Sequence, residues 1–208
     1  RMNEQQVEVG NSVEQEIPEE DLLRAQFYGL LARLLTSPPT EDLLNVLRDL
    51  DGDDTPMGQA LGALSYETAK ISEEDAADEF NTLFIGMVRG ELMPFASVYL
   101  TGFLHEKPLA DLRGDMERFG IARSDDLSQP EDQIGIICEM MHGMITGAFG
   151  APKELSEQKE FYEAHVSTWA SKFFADLETA KSAVMFKPVG TLGRLFLEIE
   201  DEAFGMTN

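Results

Sequence analysis

The spacing of the apolar residues constrains the fold of this chain most strongly, because they recur every three or four positions through most of its length. In the first such segment Leu23, Phe27, Leu30, Leu31 and Leu34 fall on one face of a helix. Nowhere is there a sustained alternation of apolar and polar residues, the pattern typical of half-buried strands. The sequence therefore predicts an all-α fold, a single bundle of about eight or nine helices.

Prolines, glycines and capping residues divide the chain into predicted helices, and Ser72 has the position of an N-cap. Ser128 and Glu131 have the spacing of a capping box and predict a helix start near 131. The predicted helices cover 19–37, 41–50, 56–71, 73–86, 108–119, 131–146, 153–180 and 188–202, with a further apolar run at 95–104. Residues 1–18 are expected to be a mobile acidic tail before a helical domain at 19–208. The polar connector 120–130 is a possible hinge between two lobes.

Charge restricts the partners of this domain. The chain has 16 Lys and Arg against 39 Asp and Glu, a formal net charge of −23, yet 43% of its residues are hydrophobic. This composition predicts a folded acidic protein rather than a disordered acidic tail. Because nucleic-acid affinity depends on cations that neutralise phosphates, binding to DNA or RNA is not expected. Cationic partners are instead attracted.

Cysteine content and hydropathy indicate a cytoplasmic protein. Cys138 is the single cysteine, so neither an internal disulfide nor a Cys-rich metal site is expected. The polar N-terminal segment is not expected to act as a signal or transit peptide. No stretch approaches the ~20 apolar residues that span a bilayer, so membrane insertion is not expected either.

Motifs for catalysis and cofactor binding are scarce. The sequence has neither a phosphate-binding loop nor a dinucleotide fingerprint, so no nucleotide cofactor is predicted. Glu139 and His142 have the Glu-x-x-His spacing of di-iron bundles, but those bundles need the motif twice and His105 and His165 lack the matching Glu. A helical metalloenzyme using Glu139 and His142 stays an alternative. Cys138 lies on the apolar face of its helix and is expected in the core.

The predicted helix 131–146 carries small and acidic residues on one face. Asp132, Gly135, Glu139, His142 and Gly143 follow one another at steps of three and four. A glycine inside a helix costs about 1 kcal/mol relative to alanine, which suggests that something approaches this face closely. Either a neighbouring helix or a bound peptide fits this pattern.

Several short motifs, in order, resemble those of the TorD/DmsD/NarJ-type chaperones for molybdenum enzymes, the redox enzyme maturation proteins. The resemblance covers about residues 20–202 and rests on Phe80-x-x-Leu83-Phe84-x-Gly86, Pro94-x-x-Ser97-Val98-Tyr99, Pro130-Glu131-Asp132 with Glu139-Met140-Met141, and His165-x-x-x-Trp169. It implies an all-helical chaperone, not an enzyme. Such a protein binds the twin-arginine signal peptide and the apo-form of a molybdoenzyme subunit, aids insertion of the molybdopterin cofactor and delays export.

Carried over to this chain, the peptide-binding region of the family corresponds to the loop with Pro94, Ser97 and Tyr99 and to the start of the helix with Asp132. Pro94 is expected to hold the loop, Tyr99 to offer aromatic surface, and Asp132 with Glu139 to face the arginines. Gln133 stands where the family usually has His, and Ile137 where a Glu is common. The implied signal-peptide-binding residues are Pro94, Ser97, Tyr99, Asp132, Gln133 and Glu139.

The resemblance also bears on assembly and on the client. Family members form dimers by exchange of a lobe, so either a monomer or a domain-swapped homodimer fits the connector 120–130. Clients include trimethylamine N-oxide and dimethyl sulfoxide reductases, nitrate reductases and formate dehydrogenases. The acidic tail and the departures from the family pattern favour a less-studied client such as a formate dehydrogenase. A general acidic adaptor protein is a further alternative.

Overall fold

The computed structural model describes residues 16–207, and within them every regular element is a helix. The helices are α1 (Glu19–Thr36), α2 (Glu41–Arg48), α3 (Pro56–Ala69), α4 (Glu73–Phe84), α5 (Ala96–Thr101), α6 (Lys107–Phe119), α7 (Ile134–Thr146), α8 (Leu155–His165), α9 (Ala170–Glu178) and α10 (Phe186–Gly205). The all-α prediction is confirmed. The predicted tail lies outside the described residues up to position 15, and α1 begins directly after Pro18. None of the helices in residues 16–207 is long and apolar enough to cross a bilayer.

The number of helices is ten in the described residues rather than eight or nine, because the predicted segment 153–180 is divided into α8 and α9. At the division the indole Nε1–H of Trp169 donates to the carbonyl of His165 at 2.8 Å. A continuing helix would use that carbonyl for the backbone N–H four residues later. The backbone N–H of Trp169 instead bonds to Val166. A side-chain hydrogen bond thus replaces a backbone one, and the chain turns there.

The start of α7 also differs from the prediction. Its N-cap is Gln133, whose side-chain oxygen accepts the backbone N–H of Ile136 at 3.0 Å. The predicted capping box of Ser128 and Glu131 is therefore wrong. The reason is that the carboxylate of Glu131 is paired with two arginines and does not cap the helix.

Helix α7 lies at the centre of the fold. Ten of its thirteen residues are buried, and it packs along α1. A Cβ on Gly135 would lie 2.7 Å from the Cγ2 of Thr36, and one on Gly143 would collide with the ring of Phe149. The close approach predicted for this face is therefore made by other parts of the same chain.

A second close contact joins α9 and α10, and it leads to a stability prediction. A Cβ on Gly190 would collide with the backbone N of Glu178 and lie 2.8 Å from the carbonyl oxygen of Phe174. We expect Gly190→Ala to lower the free energy of unfolding by about 1–3 kcal/mol, because the two backbones must separate. The measurement is urea unfolding followed by circular dichroism.

Gly114, inside α6, is the matched control for this prediction, since no atom other than the neighbouring backbone of α6 lies within 4 Å of a Cβ placed there. Gly114→Ala should raise the free energy of unfolding by up to about 1 kcal/mol through helix propensity alone. If Gly190→Ala were as stable as the unaltered chain, α9 and α10 could not pack as closely as described.

Candidate functional site

Two segments that are far apart in the sequence meet at the site implied by the resemblance. The loop before α5 runs alongside the residues that lead into α7, with an isolated antiparallel bridge between Phe95 and Gln133. The N–H of Ala96 donates to the carbonyl of Asp132 at 3.0 Å, and the N–H of Ile134 donates to the carbonyl of Pro94 at 2.9 Å. These bonds hold residues 94–97, where the loop enters α5, against residues 131–134, where the chain enters α7, so Pro94, Ser97 and Asp132 lie together.

Asp132 is fully buried at this junction. Its Oδ2 accepts the backbone N–H of Ser97 at 2.8 Å, which caps the first turn of α5 from another part of the chain. Its Oδ1 and the hydroxyl of Ser97 are buried and have no hydrogen-bond partner within residues 16–207. Buried polar atoms are almost always paired, and the partner of this carboxylate oxygen is not among the protein groups of residues 16–207.

A pocket of about 140 Å³ lies beside Asp132. Most of its wall is apolar, and the polar side chains are those of Asp132, His165, Thr168 and Asp111. The apolar lining residues come from α5, α6, α7 and the α8–α9 junction: Ala96, Leu100, Pro108, Leu112, Ile137, Ala164 and Trp169. The pocket thus combines apolar walls with the buried carboxylate of Asp132 and the exposed carboxylate of Asp111.

His165 is held at the wall of the pocket by an acidic partner. Its Nε2 lies 2.6 Å from Oδ2 of Asp115 on α6. Burial acts to raise the pKa of Asp115, but hydrogen bonds from His165 and Arg118 outweigh it and the pKa lies below its ordinary value. Asp115 is therefore a stable anion that orients the His165 ring.

Glu131, the neighbour of Asp132, is buried but fully paired. Its carboxylate accepts from Arg113 at 2.9 Å and lies 3.3 Å from Arg123 in the connector. Burial acts to raise its pKa, and the two arginines more than compensate, so the pKa is lowered. Of the two adjacent carboxylates, only Asp132 retains a free oxygen.

Tyr99 and Gln133 are held by contacts within the protein. The Tyr99 hydroxyl donates to Oδ2 of Asp176 at 2.9 Å, and its ring packs 5.5 Å from that of Trp169. Burial and this acidic partner raise the pKa of Tyr99. The Gln133 amide is buried and donates to the carbonyl of Leu35 at 2.5 Å while its oxygen caps α7. Gln133 therefore ties α1 to α7.

Glu139 is not part of the pocket at Asp132. It is exposed about two turns further along α7 and borders a separate surface pocket with Arg33 and His142. Within residues 16–207, no group of three or more His, Cys, Asp or Glu side chains is arranged to hold a metal ion. Cys138 is buried, as expected, and burial raises the pKa of its thiol to about 12.

The structure adds three side chains that the implied site did not include: His165, Trp169 and Asp111. His165 and Trp169 belong to a motif of the resemblance, four positions apart, but α8 ends between them and only their contacts reveal their place at the pocket. Asp111 is an exposed acidic residue on α6, and no spacing in the sequence distinguishes it from the many others.

Comparisons with known proteins identify the family of the chain. The nitrate reductase delta subunit family model matches residues 50–175, more than half of the chain. The chain is 30% identical over 97 residues to the chaperone protein TorD of Photobacterium profundum, covering 46% of this chain and 44% of that protein. It thus spans less than half the length of that relative. It is 23% identical over 171 residues to TorD of Aliivibrio fischeri, covering 72% of this chain and 80% of that protein.

A solved structure shows the same fold. The crystal structure of a candidate redox enzyme maturation protein from Archaeoglobus fulgidus superposes with a TM-score of 0.56 at 18% identity, over 85% of this chain and 94% of that one. The resemblance found in the short motifs is confirmed by the family match. The chain belongs to the nitrate reductase delta subunit family, to which the related TorD chaperones also connect it.

Proposed function

We propose that this chain is a cytoplasmic chaperone of the TorD type. It binds the twin-arginine signal peptide and the apo-form of a molybdoenzyme subunit, aids cofactor insertion and delays export. Membership of the family and the similarity to TorD chaperones over 72% of the chain support this proposal.

The buried carboxylate of Asp132 is the observation that carries the proposal. Its free Oδ1 needs a donor, and an arginine guanidinium brings five N–H groups and a positive charge. The pocket, at about 140 Å³, is smaller than the ~300–1,000 Å³ of typical small-molecule sites. Its size therefore suits one side chain of a peptide better than a nucleotide or a cofactor.

The remaining residues of the site have supporting roles in this proposal. Pro94 and Ser97 shape the loop that Asp132 caps, and Gln133 holds the start of α7. Tyr99 supplies aromatic surface beside Trp169. Glu139 lies at another pocket and contributes to the general negative potential that attracts a basic peptide.

Both proposed assembly states can contain this pocket. Leu112 precedes the connector 120–130 and Asp132 follows it, and both line the pocket. In a monomer one chain supplies the whole wall. In a homodimer formed by exchange across the connector, the same wall would come from two chains.

A titration with a synthetic peptide tests the proposal. The peptide carries a pair of arginines followed by an apolar stretch, and isothermal titration calorimetry measures its dissociation constant at low and high salt. We expect micromolar or tighter binding that weakens several-fold as salt rises from about 50 mM to about 0.5 M, because charge attraction contributes to it.

Two control peptides make the result specific. Replacing both arginines by glutamine should abolish measurable binding, and replacing them by lysine should weaken it, because lysine lacks the planar fork of donors. Binding that is indifferent to salt and to the arginines would contradict the proposal and favour a general adaptor.

A further inference from the structure

An exposed apolar surface borders the pocket at Asp132. Leu100, Phe103 and Leu104 are 46%, 69% and 37% exposed, so three large apolar side chains within five residues face solvent. Leu100 also lines the pocket, as does Pro108, four residues after Leu104. The surface formed by Leu100, Phe103 and Leu104, here the apolar rim, is thus continuous with the pocket. A contiguous exposed apolar surface beside a pocket is a candidate binding surface.

Local hydrogen bonds order the apolar rim rather than leave it free to fold inward. The hydroxyl of Thr101 donates to the carbonyl of Ser97 at 2.7 Å and accepts the N–H of Phe103 at 3.3 Å. The chain turns through Gly102 at φ +87° and His105 at φ +58°. A non-glycine residue in the left-handed region is strained, and such strain clusters at binding sites.

We infer that the apolar rim holds the hydrophobic segment that follows the arginines of the signal peptide, an assignment that rests on the proposed function. The charge of the site selects this occupant. Asp132 at the pocket has a carboxylate oxygen without a donor, which suits a cationic group, and the rim beside it suits an apolar one. A signal peptide presents these two features consecutively. An extended peptide advances about 3.3 Å per residue, so an arginine in the pocket places its neighbours over the bordering surface.

Two synthetic peptides and two variants test this inference. The full peptide has paired arginines followed by about ten leucine and alanine residues, the length of a typical apolar segment. In the polar peptide those residues are serine and glycine. The variants are Phe103→Ser in the apolar rim and Tyr66→Ser on α3 as the matched control. Tyr66 is also aromatic and 65% exposed, and α3 packs on α2 and α10.

We expect the unaltered chain to bind the full peptide about tenfold or more tightly than the polar peptide, as burial of one large apolar side chain allows. Phe103→Ser should remove most of this difference and leave the affinity for the polar peptide unchanged. Leu104→Ser should act in the same direction, and Tyr66→Ser should have no effect. The heat-capacity change for the full peptide should become less negative in Phe103→Ser.

Other outcomes separate the inference from the proposed function. If Phe103→Ser weakened both peptides equally, or neither, the apolar rim would not hold the hydrophobic segment, although arginine binding could stand. If light scattering showed a dimer that Phe103→Ser dissociates, with peptide affinity unchanged, the occupant would be a second copy of the chain and the inference would fail. If the unaltered chain bound neither peptide, the proposed function itself would be wrong.

Discussion

Asp132→Asn is expected to weaken binding of the arginine-containing peptide by about 10- to 100-fold. A hydrogen bond to a charged group is worth about 1.5–3 kcal/mol, and each 1.4 kcal/mol is tenfold in affinity. The asparagine can keep its oxygen toward the N–H of Ser97, which Oδ2 of Asp132 now accepts. The NH₂ group of the asparagine then takes the place of the free carboxylate oxygen. Because both this group and the guanidinium donate hydrogen bonds, no hydrogen bond can form between them. Calorimetry with the paired-arginine peptide measures the loss.

The stability of the same variant distinguishes a binding role from a structural one. Burying an unpaired charge costs more than burying a neutral amide, so Asp132→Asn should leave the free energy of unfolding of the free chain unchanged or raised. Asp111→Asn is the control, because Asp111 is exposed and already paired with Lys107 at 2.7 Å. It should weaken binding only slightly. Unchanged affinity in Asp132→Asn would remove the pocket from the proposed mechanism.

Arg24→Met is expected to lower the free energy of unfolding by about 3–5 kcal/mol, because it leaves a buried carboxylate unpaired. Arg24 on α1 donates to both oxygens of Glu200 on α10, at 2.9 and 3.0 Å, and to Gln158 on α8 at 3.0 Å. Glu200 is 1% exposed. For a chain of this size the loss corresponds to roughly 10 °C in the melting temperature, which differential scanning calorimetry measures.

The double variant Arg24→Met with Glu200→Leu is the control. Replacing both members of a buried ion pair by apolar side chains is often neutral, so the double variant should recover most of the lost stability. A single Arg24→Met variant as stable as the unaltered chain would show that this ion pair does not join α1, α8 and α10. Neither Arg24 nor Glu200 lines the pocket at Asp132. The folded fraction of each variant should therefore bind the peptide with unchanged affinity.

Local features of the sequence predicted most helices well. The period of the apolar residues and the breakers between them placed α1 to α4 and α6 within a few residues of their bounds. Ser72 caps α4 as predicted, accepting the N–H of Asp75 at 3.1 Å. Propensity and capping act between residues a few positions apart, so they are readable along the chain.

The two errors have a different physical origin. The break between α8 and α9 depends on the Trp169 indole reaching the carbonyl of His165, and the start of α7 depends on where the Glu131 carboxylate goes. In each case one group, the His165 carbonyl or the Glu131 carboxylate, can form alternative hydrogen bonds that exclude one another. Sequence spacing shows which bonds are possible but not which one the packed chain selects.

The sequence likewise predicted some features of the candidate site and not others. The short motifs indicated that Pro94, Ser97, Tyr99 and Asp132 belong together. The structure brings the first two against Asp132, whereas Tyr99 packs on Trp169 and bonds to Asp176. They did not indicate that Asp132 is buried with a free oxygen, or that Glu139 lies elsewhere. Those facts depend on neighbours 35 positions away, as for Ser97 and Asp132.

The residues along the chain were sufficient to establish an acidic, all-helical domain and its family, because periodicity, charge and short motifs are local properties. The tertiary structure determined which carboxylates are paired with arginine side chains and which are not. Glu131 and Asp132 are adjacent in sequence, yet the first meets two arginines and the second none. A side chain's electrostatic environment is set by the segments that pack around it in space, and this is why the pocket appeared only in three dimensions.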